Sequence, residues 1–519
     1  MQIYPVLSAC AATLSRQPFK RRLGLAFTFG AAMALAMPPF DCFPLLWICL
    51  PALIFLLRPA ANGKQAFTTG WCFAFGHMVF GLYWIAASML VDIKHFWWGI
   101  PLAVAVLPAC FAVYYGIAAL VARRIGLNGW RGAVWFGFMW FLADYARGHL
   151  FSGFPWNLVG YAWSGSLPVL QTTSVIGIYG LSLLTTLAAC LPASLTENSR
   201  ANRAATLAGM GLFVALAAAG EARLQAVHVA DVPDVRLRLV QPNTDEANKW
   251  KAVQGAADFQ QMLDYTSAPA DRPVTHVIWP EAAPPYYLDE DTVHRAELAQ
   301  RISATASVLT GAVRRDVGPE GETRFYNSLI AIDGLGRVMA GYDKFHLVPF
   351  GEYMPFRNYL PASLRALAAS AADFTPGPGP RTLRVLGLPT FSPLICYEAI
   401  FPGQVADPAD RPQMLLNVTN DAWYKNTTGP FQHFAIARVR AIEEGLPLVR
   451  VDNTGISAVI DPAGRIVAFI PYGKSGFIDS GLPEPLPLTL YEKFGDIQPL
   501  VVILLLAPIV IVRARRKKI

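Results

Sequence analysis

Cys396 is the only cysteine in the long stretch between Ala222 and the last apolar segment. It lies in Phe391-Ser392-Pro393-Leu394-Ile395-Cys396-Tyr397-Glu398, an apolar run that reads as a strand ending on the thiol. Two other strand-like runs finish on complementary chemistry: Val277-Ile278-Trp279-Pro280-Glu281 and Gly341-Tyr342-Asp343-Lys344. A carboxylate, an ammonium and a thiol are the parts of a thiol acyl-transfer site. The carboxylate takes the thiol proton, and the cation favours both the thiolate and a developing oxyanion. Each residue alone has a plainer reading. Glu281 could start a helix, Lys344 could be a solvated hairpin residue, and a lone cysteine is more often buried packing. All three at strand ends make chemistry the better reading. Glu352, in Phe350-Gly351-Glu352-Tyr353, and Glu398, two residues past the thiol, add carboxylates that could position Lys344 or an incoming amine.

The elements that must hold these residues are short β-rich runs alternating with amphipathic helices, from about Val235 to Ser480. Strands are expected at 235–240, 276–279, 308–312, 328–332, 338–342, 394–396, 414–418 and 448–451. Helices are expected at 247–265, 293–305 and 431–444. Such alternation implies a layered α/β fold. Residues 374–380, with three prolines and two glycines, are a loop that could form a mobile cover together with 362–372.

The rest of the chain faces lipid. Of 519 residues, 54% are hydrophobic and only 15% charged, against about 25% charged in a soluble protein. Seven apolar stretches, near 23–40, 43–57, 69–90, 97–122, 132–151, 166–194 and 205–221, precede the polar region, and an eighth falls near 497–512. In lipid each must be helical, because nothing else satisfies the backbone. Pro38 and Pro39 after the first run leave no Ala-x-Ala cleavage site. Sixteen lysines and arginines flank these stretches on one side, from Arg16 and Lys20 to Arg513 and Lys518, against Lys94 and Arg147 on the other. By the positive-inside rule both termini are cytoplasmic, and the polar region lies outside the cytoplasm. The basic residues cluster beside apolar segments, so the net charge of +7 is not a nucleic-acid signal. Six of the seven cysteines lie in the apolar half and read as packing residues, and no metal-ligand spacing is present. Asp144 and Arg147, one turn apart, can pair within a helix. Trp156 reads either as a membrane-interface anchor or as the wall of a lipid-facing mouth.

With these motifs in view, the chain resembles the nitrilase, or carbon–nitrogen hydrolase, superfamily. The settings WPE, YDKFHLVPFGEYMP and LICYE around Glu281, Lys344 and Cys396 look like its Glu-Lys-Cys triad. Joined to seven N-terminal helices and one C-terminal helix, the long motif from Tyr342 to Pro355 is similar to the apolipoprotein N-acyltransferase family of the bacterial inner membrane. Further matching stretches are Val240-Gln241-Pro242-Asn243 leading to Lys249-Trp250, Phe325-Tyr326-Asn327-Ser328, Asn420-Asp421-Ala422-Trp423, and Gln432-His433 with Arg438 and Arg440. At 244–248 the chain departs from the family's pattern, and residues 1–20 are assigned no role.

The resemblance implies a polytopic α-helical membrane domain of eight transmembrane helices carrying an α/β nitrilase-like αββα sandwich. It divides the chain into a cytoplasmic segment (1–22), seven helices (23–221), a periplasmic catalytic domain (222–495) and a last helix with a basic tail (496–519). The implied reaction moves an acyl chain from a phospholipid, usually phosphatidylethanolamine, to the α-amino group of a diacylglyceryl-cysteine at a lipoprotein's N-terminus. No cofactor, metal or nucleic acid is implied. Glu281 would be the general base and acid, Lys344 the oxyanion partner and Cys396 the thioester-forming nucleophile. Glu352 resembles the family's second glutamate, and Trp250, Asn327, Tyr397 and Glu398 match positions used in substrate placement. A bilayer setting suits this reaction, since each methylene leaving hydrocarbon for water costs about 0.8 kcal/mol, or roughly 12 kcal/mol for a C16 chain. Two rivals are a membrane-anchored amidase of the same triad, which gives no reason for so many helices, and a transporter with a periplasmic sensory domain. The few intramembrane charges and the lack of a clear internal repeat argue against the transporter.

Overall fold

Apolar residues alternate along the strands of the polar half, and the alternation sorts them onto two faces. In strand β1 (Asp231–Gln241), Leu237 and Leu239 join a core shared by two sheets, while Val240 faces a helical layer. The computed structural model describes residues 3–249, 251–319, 321–355 and 373–515. It divides into two units. One comprises Met1–Val227, Asn426–Ala435 and Leu488–Ile519, and the other His228–Lys425 and Ile436–Pro487.

The second unit contains two sheets. The first has six strands in the order β11-β1-β2-β3-β4-β5, with β2 His276–Trp279, β3 Ser307–Val317, β4 Thr323–Asp333, β5 Val338–Asp343 and β11 Gly476–Pro483. The second has five in the order β10-β9-β8-β7-β6, with β6 Phe391–Ile395, β7 Met414–Thr419, β8 Leu448–Asp452, β9 Ser457–Ile460 and β10 Ile466–Ile470. Residues of both sheets, including Ile278, Leu309, Leu329, Ile395, Leu416 and Val449, form one buried cluster between them. Phe259, Met262 and Leu263 of helix Ala252–Ser267, with Leu298 of helix Thr292–Ala299, cover the other face of the first sheet. The direction of the strands matters most for the site. β1, β2 and β3 are parallel, and two antiparallel pairings bring β5 back to the same direction. β6, β7 and β8 are parallel in the second sheet. The carboxyl ends of β1, β2 and β5 therefore share one edge of their sheet.

All eight expected strands are present, but β9, β10 and β11 were not anticipated. β9 and β10 are short runs of four and five residues, β10 largely exposed, and β11 pairs with the sequence-distant β1, so alternation alone does not mark them. The helix expected at 247–265 begins only at Ala252, because 245–249 is held in turns by Asp245. The one expected at 293–305 stops at Ala299.

The first unit is helical. Among the described residues, four helices are long and apolar enough to cross a membrane: Gly63–Leu90, Gly99–Ile125, Thr173–Thr196 and Arg200–Ala226. Tyr4–Ser15, Phe43–Leu57 and Ile497–Ile511 are apolar but shorter. The first of these falls where the sequence suggested nothing. Glycines set one close crossing: a Cβ on Gly30 would lie 1.8 Å from the Phe73 carbonyl oxygen, and one on Gly76 2.2 Å from that of Phe27. Small residues at reciprocal positions let two helix backbones touch. Asp144 and Arg147 do pair, at 3.2 Å, and both are buried. Tyr115 of the neighbouring helix bonds to both, so the pair ties helix to helix. Trp156 is not an exposed anchor. It is buried against Trp84, with ring centroids 4.6 Å apart, and donates to Gln432 Oε1 at 2.7 Å. The packing reading of the six apolar-half cysteines holds for Cys49 and Cys190, but Cys10, Cys42 and Cys110 are exposed.

Candidate active site

Glu281 follows β2 by two residues, and Lys344 follows β5 by one. The first is brought close by an absence of side chain on β3. A Cβ on Gly311 would stand 2.5 Å from Glu281 Cα, and Gly311 exchanges backbone bonds of 3.1 Å with Pro280 and Ala283. Only glycine leaves room for the chain to cross there. Cys396 corrects the strand reading: β6 ends at Ile395, and the thiol sits on the corner where a short 3₁₀ helix (Cys396–Ile400) begins, at φ 50°. A non-glycine residue in this left-handed region is strained and persists only where its surroundings enforce it.

Glu398 is what enforces it. Its Oε2 accepts from the Ile395 amide at 2.7 Å. Its Oε1 accepts from the Tyr342 hydroxyl at 2.7 Å and from the amides of Phe345 at 2.8 Å and His346 at 3.3 Å. One buried carboxylate thus staples the residue before the thiol to the residues after Lys344. Burial pushes Glu398 up to about 7, against the pull of the Ile395 amide and Lys344. Both oxygens of Glu398 accept from protein donors and brace this corner.

Lys344 is 1% exposed. Its Nζ lies 2.9 Å from the Glu352 carboxylate and 3.5 Å from Glu281 Oε1. Burial opposes the charge on Lys344, but Glu352 and then Glu281 outweigh it and hold its pKa above the usual lysine range. An ammonium has three donors, and among the described residues two directions serve these carboxylates. Glu352 is itself fixed by the Val348 amide at 2.7 Å. Asn327, near the middle of β4, joins the two acids: its amide nitrogen donates to Glu281 Oε1 at 2.7 Å and to Glu352 Oε1 at 2.8 Å. Its oxygen is buried with no hydrogen-bond partner among the described residues.

Burial raises the Glu281 pKa, with Lys344 pulling it back down. Burial and then the Glu281 charge push the Cys396 thiol well above its usual value, with Lys344 again opposing. Burial thus favours the uncharged form of both the thiol and the acid. Tyr397 is buried, and burial and then Tyr353 hold its hydroxyl above the usual tyrosine range, with Lys344 opposing.

The residues read from the sequence, Glu281, Lys344, Cys396, Glu352, Asn327, Tyr397 and Glu398, thus fall in one electrostatically linked cluster. Trp250 lies outside the described residues, as does 362–372 of the expected cover. The remaining part of that cover runs beside the site: the amides of Phe374, Thr375 and Gly377 donate to the carbonyls of Glu352, Phe325 and Lys344. The reading of the residues missed Asp421, one of whose carboxylate oxygens lies within 4.8 Å of the Cys396 sulfur. Its setting, Asn420-Asp421-Ala422-Trp423 after a strand, was the available signal.

Comparison with known proteins bears on the whole chain. Residues 29–191 match the model of the apolipoprotein N-acyltransferase N-terminal domain, and residues 236–482 match that of carbon–nitrogen hydrolase. An apolipoprotein N-acyltransferase of Rhodopseudomonas palustris is 39% identical over 512 residues, which cover 95% of this chain and 96% of that one. One from Bradyrhizobium diazoefficiens is 40% identical over 517 residues, covering 96% of each. Among solved structures, an amidase from Nesterenkonia sp. aligns at 19% identity over 53% of this chain and 97% of its own, with a TM-score of 0.35, too slight a likeness to add to the argument. Matched in both halves and along nearly all its length, the chain belongs to the apolipoprotein N-acyltransferase family.

Proposed function

We propose that this enzyme moves an acyl chain from a membrane phospholipid, through a thioester on Cys396, to the N-terminal α-amino group of diacylglyceryl-cysteine apolipoproteins. The observation that carries the reading is the pair of acids, buried Glu281 and part-buried Glu352, bridged by Asn327 and sharing Lys344 beside a neutral thiol, in a chain of this family. In the first half-reaction the Cys396 sulfur attacks the ester carbonyl as its proton passes to Glu281. The oxyanion takes the remaining Lys344 donor. Collapse breaks the ester C–O bond, and Glu281 returns the proton to the departing lysophospholipid alkoxide. In the second, the lipoprotein amine attacks the thioester, Glu281 accepts its proton, and the thiol re-forms. The Asn327 oxygen, without a hydrogen-bond partner among the described residues, is an acceptor that can orient that amine.

Phosphatidylethanolamine is the proposed donor, because the reaction needs a bilayer ester and no activated cofactor. The test is intact-protein mass after mixing with phosphatidylethanolamine in detergent micelles. An adduct of one acyl chain on Cys396, discharged by a diacylglyceryl-cysteine peptide to give an amide, is expected. Discharge to free fatty acid alone would instead support the amidase reading.

The proposed setting is the bacterial inner membrane, with eight spans, both termini cytoplasmic and the catalytic unit periplasmic. The asymmetry of sixteen basic residues against two supports this topology. A reporter inserted near Gly318 should behave as periplasmic, and one placed after Lys518 as cytoplasmic. A cytoplasmic result at Gly318 would defeat the topology.

A further inference from the structure

A second buried lysine stands by the site, and the mechanism above leaves it unused. Lys249 is 2% exposed, in the loop that leaves the carboxyl end of β1. β1 lies beside β2 and parallel to it, so this loop and the one bearing Glu281 emerge side by side. The loop is nailed down by cross-sheet bonds. Asn453 accepts from the Thr244 amide at 2.9 Å and donates to the Thr244 carbonyl at 3.0 Å, and its own carbonyl accepts from the Asn243 amide at 2.8 Å. Glu246, also buried, lies 3.9 Å from Lys249 Nζ and accepts from Asn420 Nδ2 at 2.7 Å. Asn420 immediately precedes Asp421, which sits beside the thiol. An ion pair this far inside a protein is no net stabiliser compared with apolar residues of similar size, so its presence beside reacting groups calls for another account.

We infer that Lys249 is a positioning residue of this site: its buried ammonium, moderated by Glu246, holds Glu281 in the carboxylate form that accepts the Cys396 proton. The inference rests on Glu281 acting as the base. The charges around Glu281 define the balance. Lys344 lies 3.5 Å from its Oε1 at the end of β5, Asn327 bridges it to Glu352 of the following loop, and Lys249 stands in the β1 loop that emerges beside its own; its charge is felt in turn by Cys396, Asp421 and Tyr424. Burial and Glu352 favour the protonated acid, and both lysines favour the carboxylate. Lys344 must also meet the oxyanion, so during the reaction its field is shared. Lys249 has no such duty and supplies a constant bias.

The test is the pH dependence of single-turnover Cys396 acylation, using the full chain in detergent with phosphatidylethanolamine and reading intact mass from about pH 5 to about pH 9. Without Lys249 the carboxylate form needs a higher pH. Lys249→Met should move the acidic limb upward, cutting the rate on that limb about threefold to tenfold while leaving the plateau within about twofold. Lys249→Arg should restore the wild-type limb. Glu246→Gln should move the limb the other way, because it removes a negative charge and leaves the Lys249 field unopposed. A structural role would make Met and Gln variants fail alike, at every pH. Equal loss across the range, failure of arginine to restore the profile, or a shift of Glu246→Gln in the same direction as Lys249→Met would each overturn the inference. If Lys249→Met does not fold, the direction of the Glu246→Gln shift decides alone. Absence of any adduct in the wild-type protein would instead defeat the acyl-transfer reading on which the inference stands.

Discussion

Cys396→Ala is expected to abolish the acyl-enzyme and lower turnover by more than about a thousandfold, while the protein still inserts and folds. Both residues carry a Cβ, so the substitution adds no strain at the φ 50° corner, and the Glu398 bonds that hold the corner involve backbone groups and Tyr342. The measurements are intact mass for the adduct and a thermal transition for the fold. Cys396→Ser should be almost as inactive. Its hydroxyl is far harder to ionise than a thiol, and the same burial and the same Glu281 charge that push the thiol up would oppose an alkoxide still more. Turnover by the alanine variant near the wild-type rate would remove the nucleophile and the reading with it.

The second large effect separates the two charged partners. Glu281→Gln should cut thioester formation by about a hundredfold to ten-thousandfold, the range of a lost general base. The amide is close in shape, so the constellation around it should keep its geometry. In the wild-type enzyme burial holds Glu281 above the ordinary carboxylate range, and acylation should fall as pH drops through that raised value. The glutamine variant should lose this limb. Lys344→Arg keeps the charge but not the geometry: a planar fork cannot satisfy Glu352 at 2.9 Å, approach Glu281 and still aim a donor at the oxyanion. A loss of more than about tenfold, or roughly 1.4 kcal/mol of barrier, is expected in acylation of Cys396 followed by mass. Retention of more than that tenth would place Lys344 away from the oxyanion. Lys344→Met is the poorer probe, since it leaves the buried Glu281 and part-buried Glu352 carboxylates without their shared counter-charge and should cost about 3–5 kcal/mol of stability.

Several features of the site are legible in the amino-acid sequence alone. Alternating apolar runs mark β1 to β8 because a strand buried on one or both faces must be apolar at a regular period. The reactive residues can be picked out because each follows a run of this kind, and the shared direction of β2 and β5 then carries Glu281 and Lys344 to one sheet edge. The basic flanks of the apolar stretches set an expected topology, since charge is excluded from lipid whatever the fold. The helices are legible for the same reason, although their lengths are not: among the described residues four are both long and apolar enough to span, and three further apolar helices are shorter.

What the chain by itself determined was thus the kind of chemistry and the elements that end on it. The tertiary structure decided which partners each carboxylate meets. Glu281, Glu352 and Glu398 are indistinguishable as letters, yet Glu398 spends its oxygens on three backbone amides and a tyrosine, whereas Glu281 and Glu352 share one amide nitrogen and one ammonium. The left-handed corner at Cys396 and the passage of the Glu281 loop across Gly311 were equally hidden. Periodicity reports which way a side chain faces along its own element. A hydrogen-bond partner is chosen by residues tens of positions away, such as Tyr342 for Glu398 or Asn327 for Glu281, and only the packing of the elements brings those within reach.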